Sequence, residues 1–487
     1  MEPQETKFSF VYDEIKQRIL NGQILPGSCL PSSRMLCNQF HVSRYTINRV
    51  FDALKEDGLI AIQPRLAPVV LSGAAASGRK NLLSDILREK DSIIQIYQTF
   101  AIILPPLLVF ASQDCNLEIM PHYKQALKVS RLGIAAGGWR PSSDFIKEVL
   151  EIGGNPLLAN LYSIFELHHN LGFFTERCPY FLDNFLQGSV SVTGIIIDIL
   201  KGDDPSVKHR RLASLGQRFA DSVADTLEHF TNAALHCPPQ YPVSFSWRPT
   251  RGRDYFYSRI ISDLNRKIGN GEYPSGAYLP YEKQLAGHYG VSVSTIRKAL
   301  GELEQRGLVR KINAKGTIVI EPDDSRVNQM LPSPRRTEEA LLYLHALQLI
   351  VLIIHSAALL AAPEITAREL DELEERFAQP DSVCIAVIYE AILKHTELKP
   401  LHAILTEAFR LTEWGHYIAY YDNKKLVLQK LNKQIIAAVR HLREGDEGSF
   451  ADGIADCYRY SLIRAKEYMI RKYKFYRVAY MRIPDIY

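Results

Sequence analysis

The chain has 487 residues, 46% apolar and 23% charged, with a formal net charge of +4. That length exceeds what one hydrophobic core serves and calls for several domains. So small a net charge excludes a wholesale polyanion binder and makes the placement of charge the useful quantity.

The N-terminus, MEPQETKFSF, lacks the apolar run of a signal peptide. Seven cysteines without CxxC spacing fit a reducing cytoplasm and give no zinc or redox motif. Phe8 to Leu20 is predicted as a helix with Val11, Ile15 and Ile19 on one side, stopped by Asn21-Gly22. Pro31 to Ile60 then reads as two short helices around a tight turn. Leu36 and Phe40 bury one face of the first, and Ile47, Val50, Phe51 and Leu54 one face of the second. Ser43 is placed to cap the second helix, which leaves Arg44, Tyr45 and Thr46 in an exposed first turn where backbone N–H groups and a cation favour phosphate. The run LIAIQPRLAPVVL after Gly58 predicts two short strands around a turn, a wing.

All of this recurs in the second half. Gly22/Gly271, Gly27/Gly276, Leu30/Leu279, Val42/Val291, Ser43/Ser292, Thr46/Thr295, Leu54/Leu303 and Gly58/Gly307 share one offset of 249 residues. The second wing, Leu308 to Ile320, carries Lys315-Gly316 at its tip, where the first has Ala67-Pro68; a glycine tip with a lysine suits close approach to a phosphate backbone. Residues 248–321 carry a net charge of +6, residues 1–72 only +1, and the remainder −3. The positive charge gathers around the second copy, as a DNA-facing module requires.

The glycines, prolines and Val-Ser caps in common register resemble the winged helix-turn-helix of the GntR family of bacterial transcription regulators, over roughly residues 8–72 and 255–321. The resemblance implies DNA contacts from Arg34, Ser43, Arg44, Thr46 and Arg49 in the first copy. In the second it implies Lys283, Ser292, Thr295, Lys298 and Gly316, with Arg297 and Lys315 beside them. Val293 stands where the family usually has the arginine matching Arg44, and the first wing lacks its glycine.

Between and after these modules long apolar helices dominate. Gln95/Gln98 align with His345/Gln348 at an offset of 250, Pro156-Leu157 with Pro400-Leu401 at 244, and Gly202-Asp203 with Gly445-Asp446 at 243, so the duplication covers the whole chain. The expected fold class is mainly α: two winged helix-turn-helix domains, each followed by an all-helical bundle. The expected domains are 1–72, 81–237, 238–321 (linker and second winged helix) and 337–487. The helical stretches resemble the effector-binding and dimerisation domain of the FadR branch of the family. Ala340 to Ala362 approaches the length that spans a bilayer. It contains His345, Gln348 and His355, and its first-half counterpart is interrupted by Pro105-Pro106, so a buried bundle helix is the better reading.

Many FadR-branch members hold a metal through an Asp and three His. The matching positions here carry Phe145, Ile146, Val192 and Ser214 in the first copy and Glu390, Ile435 and Cys457 in the second. No metal or other cofactor is therefore expected. Gln95, Gln98, His345, Gln348 and His355 are the candidate effector-binding residues; the plainer alternative is hydrogen-bonded polar groups on a buried helix. Tyr468 to Arg482 interleaves aromatics with Lys and Arg; a terminal helix or strand packing its rings is the better reading, with an auxiliary nucleic-acid tail as the alternative.

The expected function is a single-chain pseudo-dimer that reads a double-stranded operator under control of a small-molecule effector, without membrane association and with further homodimerisation left open. The alternative is a scaffold whose winged helices no longer read DNA. No nucleophile elbow, phosphate loop or cofactor-lysine motif is present, so no enzyme is expected.

Overall fold

The computed structural model describes residues 7–20, 24, 27–40, 42–63, 66–71, 82–113, 115–132, 140–168, 174, 192–233, 240, 245–249, 255–269, 271–305, 307–320, 334–379, 382–412, 424–471 and 474–485. Gly22, the linker 72–81 and most of 321–337 lie outside them. The chain forms two compact units, the first made of Met1–Arg253 with Leu398–Pro400 and Tyr487, the second of Asp254–Glu397 and Leu401–Ile486.

The first unit starts with α1 (Lys7–Leu20), α2 (Ser33–Phe40) and α3 (Arg44–Glu56), followed by β1 (Ile60–Ala61) and β2 (Val69–Val70). Val11, Ile15, Ile19, Leu36, Phe40, Ile47, Val50, Phe51 and Leu54 are buried together, so the apolar periodicity does specify this core. β1 and β2 are antiparallel, with Ile60 opposite Val70. Residues 27–30 add a third edge: Gly27 N–H donates to Val70 C=O at 2.8 Å and Leu30 N–H to Pro68 C=O at 2.7 Å.

The second unit starts with α11 (Tyr255–Gly269), α12 (Glu282–Tyr289), α13 (Val293–Gln305), β3 (Val309–Ile312) and β4 (Gly316–Val319); α4 to α10 are the first unit's bundle, given below. Its bonds repeat the first at the same 249-residue offset: Gly276 N–H to Val319 C=O at 2.9 Å and Leu279 N–H to Thr317 C=O at 2.9 Å. Gly27 and Gly276 both turn at positive φ (+82° and +87°), which a side chain would strain. The wing turn differs from expectation in one detail. Ala314 takes the left-handed conformation at the tip (φ +59°), while Gly316, at φ +111°, opens the returning strand.

The first bundle comprises α4 (Leu82–Arg88), α5 (Lys90–Ser112), α6 (Tyr123–Leu132), α7 (Arg140–Ile152), α8 (Pro156–His168), α9 (Val192–Lys201) and α10 (Pro205–Ala233). α5 corrects a sequence expectation, because it continues without a break through Pro105-Pro106. Each internal proline removes a helical N–H and costs roughly 3 kcal/mol. Here both prolines are buried, and α5 lies against α10 so closely that a Cβ on Gly216 would sit 2.9 Å from the Cα of Ala101. Packing along that face outweighs the lost bonds.

The second bundle comprises α14 (Pro334–Ala361), α15 (Ala367–Phe377), α16 (Cys384–Lys394), α17 (Lys399–Leu411), α18 (Lys424–Arg443) and α19 (Glu447–Arg471). α5 and α14 are each long and apolar enough to cross a membrane, yet 67% and 72% of their most apolar windows are buried within the protein. They are the central helices of their bundles. Of the positions considered above for a metal, Phe145, Ile146, Val192, Ile435 and Cys457 are buried, while Ser214 and Glu390 are exposed. After α19 the chain folds back, burying Phe475 and Val478 while Tyr480 stays exposed. Lys466 Nζ donates to Met481 C=O at 2.7 Å, and Arg459 Nε to Pro484 C=O at 3.0 Å.

Candidate nucleic-acid interface

Each winged helix presents the start of its third helix to solvent. Ser43 caps α3, its Oγ accepting from Thr46 N–H at 3.1 Å and lying 2.9 Å from Thr46 Oγ1. Ser292 does the same for α13, with Thr295 N–H at 3.2 Å and Thr295 Oγ1 at 2.9 Å. The caps leave the other N–H groups of the first turn available to an anion, at the positive end of the helix dipole.

Around these turns the two copies carry different chemistry. In the first, Arg34 on α2 and Arg44 and Arg49 on α3 are exposed and make no ion pair among the described residues. Arg49 lies over the Phe8 ring, 4.7 Å from its centroid, and 6.0 Å from that of Tyr45. Tyr45 is itself 73% exposed beside Arg44, so this helix offers arginine and an aromatic ring together. Among the described residues of the first wing, Gln63 and Leu66 are exposed, and Leu66 stands at the position matching Lys315.

In the second copy, Lys283 on α12 and Lys298 on α13 are exposed, and Lys315 stands at the wing turn. Arg297 does not stand free. Its Nε donates to Glu282 Oε2 at 2.7 Å, and Lys311 Nζ from the wing reaches Glu282 Oε1 at 3.1 Å. Glu282 thereby ties helix, recognition helix and wing into one surface. Burial disfavours its charge, but the bonds from Arg297 and Lys311 prevail and hold its carboxyl below the usual carboxylate range. Sequence reasoning missed both Glu282 and Lys311. It also missed Tyr278 and Tyr281, whose rings would lie 3.7 Å from a Cβ on Gly316 and so back the wing strand. Fifteen residues separate Glu282 from Arg297 and twenty-nine from Lys311, distances at which no helical or strand periodicity signals a contact.

The sequence profile described as "Bacterial regulatory proteins, gntR family" matches the chain twice, over residues 7–70 and 256–319. Both winged helices match the gntR family profile. The two matched windows are offset by the same 249 residues as the internal hydrogen bonds. The chain is 42% identical over 64 residues to the uncharacterized HTH-type transcriptional regulator YdfD of Bacillus subtilis, covering 13% of each chain. It is 35% identical over 77 residues to the HTH-type transcriptional repressor NagR of the same organism, covering 16% of this chain and 32% of NagR. The chain thus spans a third or less of these relatives' own length. The solved structure of E. coli McbR/YncC is 17% identical, with 44% of this chain and 97% of that one covered and a TM-score of 0.26.

The five candidate effector residues divide between the two units. Gln95 and Gln98 are half-buried on α5 of the first unit. On α14, Gln348 is 1% exposed and donates to the Arg482 carbonyl at 2.7 Å, which makes it an anchor for the C-terminal segment. His355 Nε2 lies 3.1 Å from Asp452 Oδ1. Burial pushes His345 down to about 4, so it is neutral at pH 7. None of the five lines the apolar cavity of the first bundle, which is bounded by α5, α7, α8, α9 and α10. Among the described residues no group of three or more His, Cys, Asp or Glu is placed to hold a metal.

Proposed function

We propose that the chain is a bacterial, cytoplasmic, sequence-specific transcription regulator that reads an operator as a single-chain pseudo-dimer. The supporting observation is that two winged helices repeat the same backbone hydrogen bonds at a fixed offset while differing in the residues at the start of the third helix. Arg44-Tyr45 stands against Val293-Ser294, so the half-sites are related but unequal. The domains that carry this function are 1–72, 81–237, 238–321 and 337–487, the two helical ones resembling the FadR-branch effector domain and holding the readers at a set spacing. A small molecule bound in a helical domain alters that spacing and with it the affinity for DNA.

Selection of bound sequences from a random duplex pool tests this reading, with wild type and two variants, Arg44→Ala/Arg49→Ala and Lys283→Ala/Lys298→Ala. A two-part motif is expected, each variant erasing a different part. Enrichment that only one variant disturbs reduces the protein to a single reader. Absence of enrichment sinks the proposal and leaves the interaction scaffold.

A further inference from the structure

The first bundle is not filled. Between α5, α7, α8, α9 and α10 lies a cavity of about 130 Å³, bounded by side chains that include Tyr97, Phe100, Tyr162, Phe165, Leu212 and Phe219. No residue bounding it carries a charge. Four of its five hydroxyl groups pair with one another, Ser142 Oγ with Thr193 Oγ1 at 2.5 Å and Tyr162 Oη with Ser143 Oγ at 3.4 Å; the fifth is that of Tyr97. Phe100, Leu104, Ile196 and Phe219 are only half-buried, which marks the side from which solvent reaches it. The second bundle is built differently here. The positions matching Phe165 and Leu215, at offsets of 244 and 243, are Phe409 and Tyr458. Both pack on the buried Tyr389, with ring centroids at 4.5 and 5.9 Å.

One wall of the cavity has a second task. Phe165 on α8 meets Phe100 at 4.9 Å on the cavity side and Phe245 at 5.7 Å on the other. Phe245 belongs to the connection that leads toward α11. Two residues later Trp247, 2% exposed, donates its indole N–H to Asn160 Oδ1, also on α8, at 2.9 Å. The helix that lines the cavity therefore also clamps the connection to the second winged helix.

We infer that the first bundle binds an uncharged, apolar small molecule of about one aromatic ring, and that its occupancy is read at the Phe245–Trp247 clamp. The size follows from comparison with an apolar protein cavity of about 150 Å³ that stays dry and takes up benzene. The charge follows from the wall: an ionised ligand would lose its hydration and find no counter-ion. Binding stands on the cavity alone, whereas its regulatory consequence rests on the DNA-binding reading above.

The test uses the full-length chain with Trp139→Phe and Trp414→Phe, which leaves Trp247 the sole indole of the three. Toluene is compared with benzoate, a ring of similar size bearing a charge. Toluene is expected to raise the unfolding midpoint of the first unit by about 3–5 °C and to shift Trp247 emission, with benzoate doing neither. Ile196→Phe, and independently Leu104→Phe, fill the cavity from its open side and are expected to abolish the toluene response while circular dichroism stays that of wild type. The two positions guard against one variant that fails to fold. Equal effects of benzoate and toluene overturn the ligand class. A toluene response that survives both fillings, or none in wild type, overturns the site. A midpoint shift without a change at Trp247 overturns the clamp. Run on operator DNA, toluene is expected to change affinity at least about fivefold. Toluene binding by a chain that selects no DNA sequence would sink the regulator reading and leave the ligand site standing.

Discussion

At Glu282 one carboxylate serves two cations from different elements, Arg297 of the recognition helix and Lys311 of the wing. In the first copy the matching residue is Ser33, so Arg34, Arg44 and Arg49 have no such anchor. An exposed pair of this kind contributes little to folding, and its value lies in aiming the guanidinium. Glu282→Gln removes a negative charge from the surface proposed to face DNA. It should tighten binding to random duplex and steepen the dependence of log K on log salt by about 1. Fluorescence anisotropy between 50 and 200 mM salt, roughly the range over which such slopes are resolved, measures it; an unchanged slope means Glu282 does not face DNA. His168, next to the linker clamp, gives a prediction in pH. Burial pushes it down to about 4, and its ring lies 5.6 Å from that of Phe245. Between that value and the unfolded-state value near 6.5 the unfolded chain binds the extra proton, so stability is complete above about pH 6.5 and declines as pH falls. Burial pushes the nearby Glu166 up to about 7, which acts with the opposite sign over the same window, so the His168 contribution is read as a difference. The urea-unfolding free energy of the first unit, wild type minus His168→Gln, should fall by about 1–2 kcal/mol between pH 7 and pH 5, and a difference that does not change with pH assigns the dependence to another group.

At the scale of elements, the third helices depend on their serine caps and the second wing on one glycine. Ser43→Ala and Ser292→Ala each remove the side-chain partner of a first-turn N–H and should cost about 1 kcal/mol, read by urea unfolding of the corresponding unit. Gly316→Ala should cost about as much through backbone strain alone, since a Cβ there would meet Tyr278 and Tyr281 at ordinary contact distance. The helices, caps and strands behind these predictions were legible in the sequence because each is a local pattern: Ile47, Val50, Phe51 and Leu54 recur at helical spacing, and Ser43 precedes them. Pro105-Pro106 misled for the converse reason. Local propensity ends a helix there, and only the close face of α10 overrides it. Gln348 was legible as buried and polar but not as the seat of Arg482, which lies 134 residues away. The cavity was the least legible feature, because five helices converge to leave it and no single stretch records what is missing from its centre.

If the whole molecule binds DNA as proposed, salt dependence counts whether one winged helix or two touch it at once. Each phosphate neutralised on duplex DNA contributes about −0.9 to the slope of log K against log salt. The first copy offers Arg34, Arg44 and Arg49, and the second offers Lys283, Lys298 and Lys315, with Arg297 held by Glu282. If each of these six exposed cations meets a phosphate, one reader gives a slope of about −3 and two together about −6. Replacing Arg34, Arg44 and Arg49 by Gln should then halve the slope and lower affinity at 100 mM salt by roughly a hundredfold or more, since the charged contacts carry much of the binding free energy. The triple lysine variant of the second copy should do the same, and both variants should fold, because all six side chains are exposed. A wild-type slope already near −3, unaffected by one of the two variants, would show that the silent copy has kept the winged-helix core and lost its reading face. The bonds that repeat at 249 residues would then record a shared fold, while the residues that differ at Arg44 and Val293 would record a division of labour.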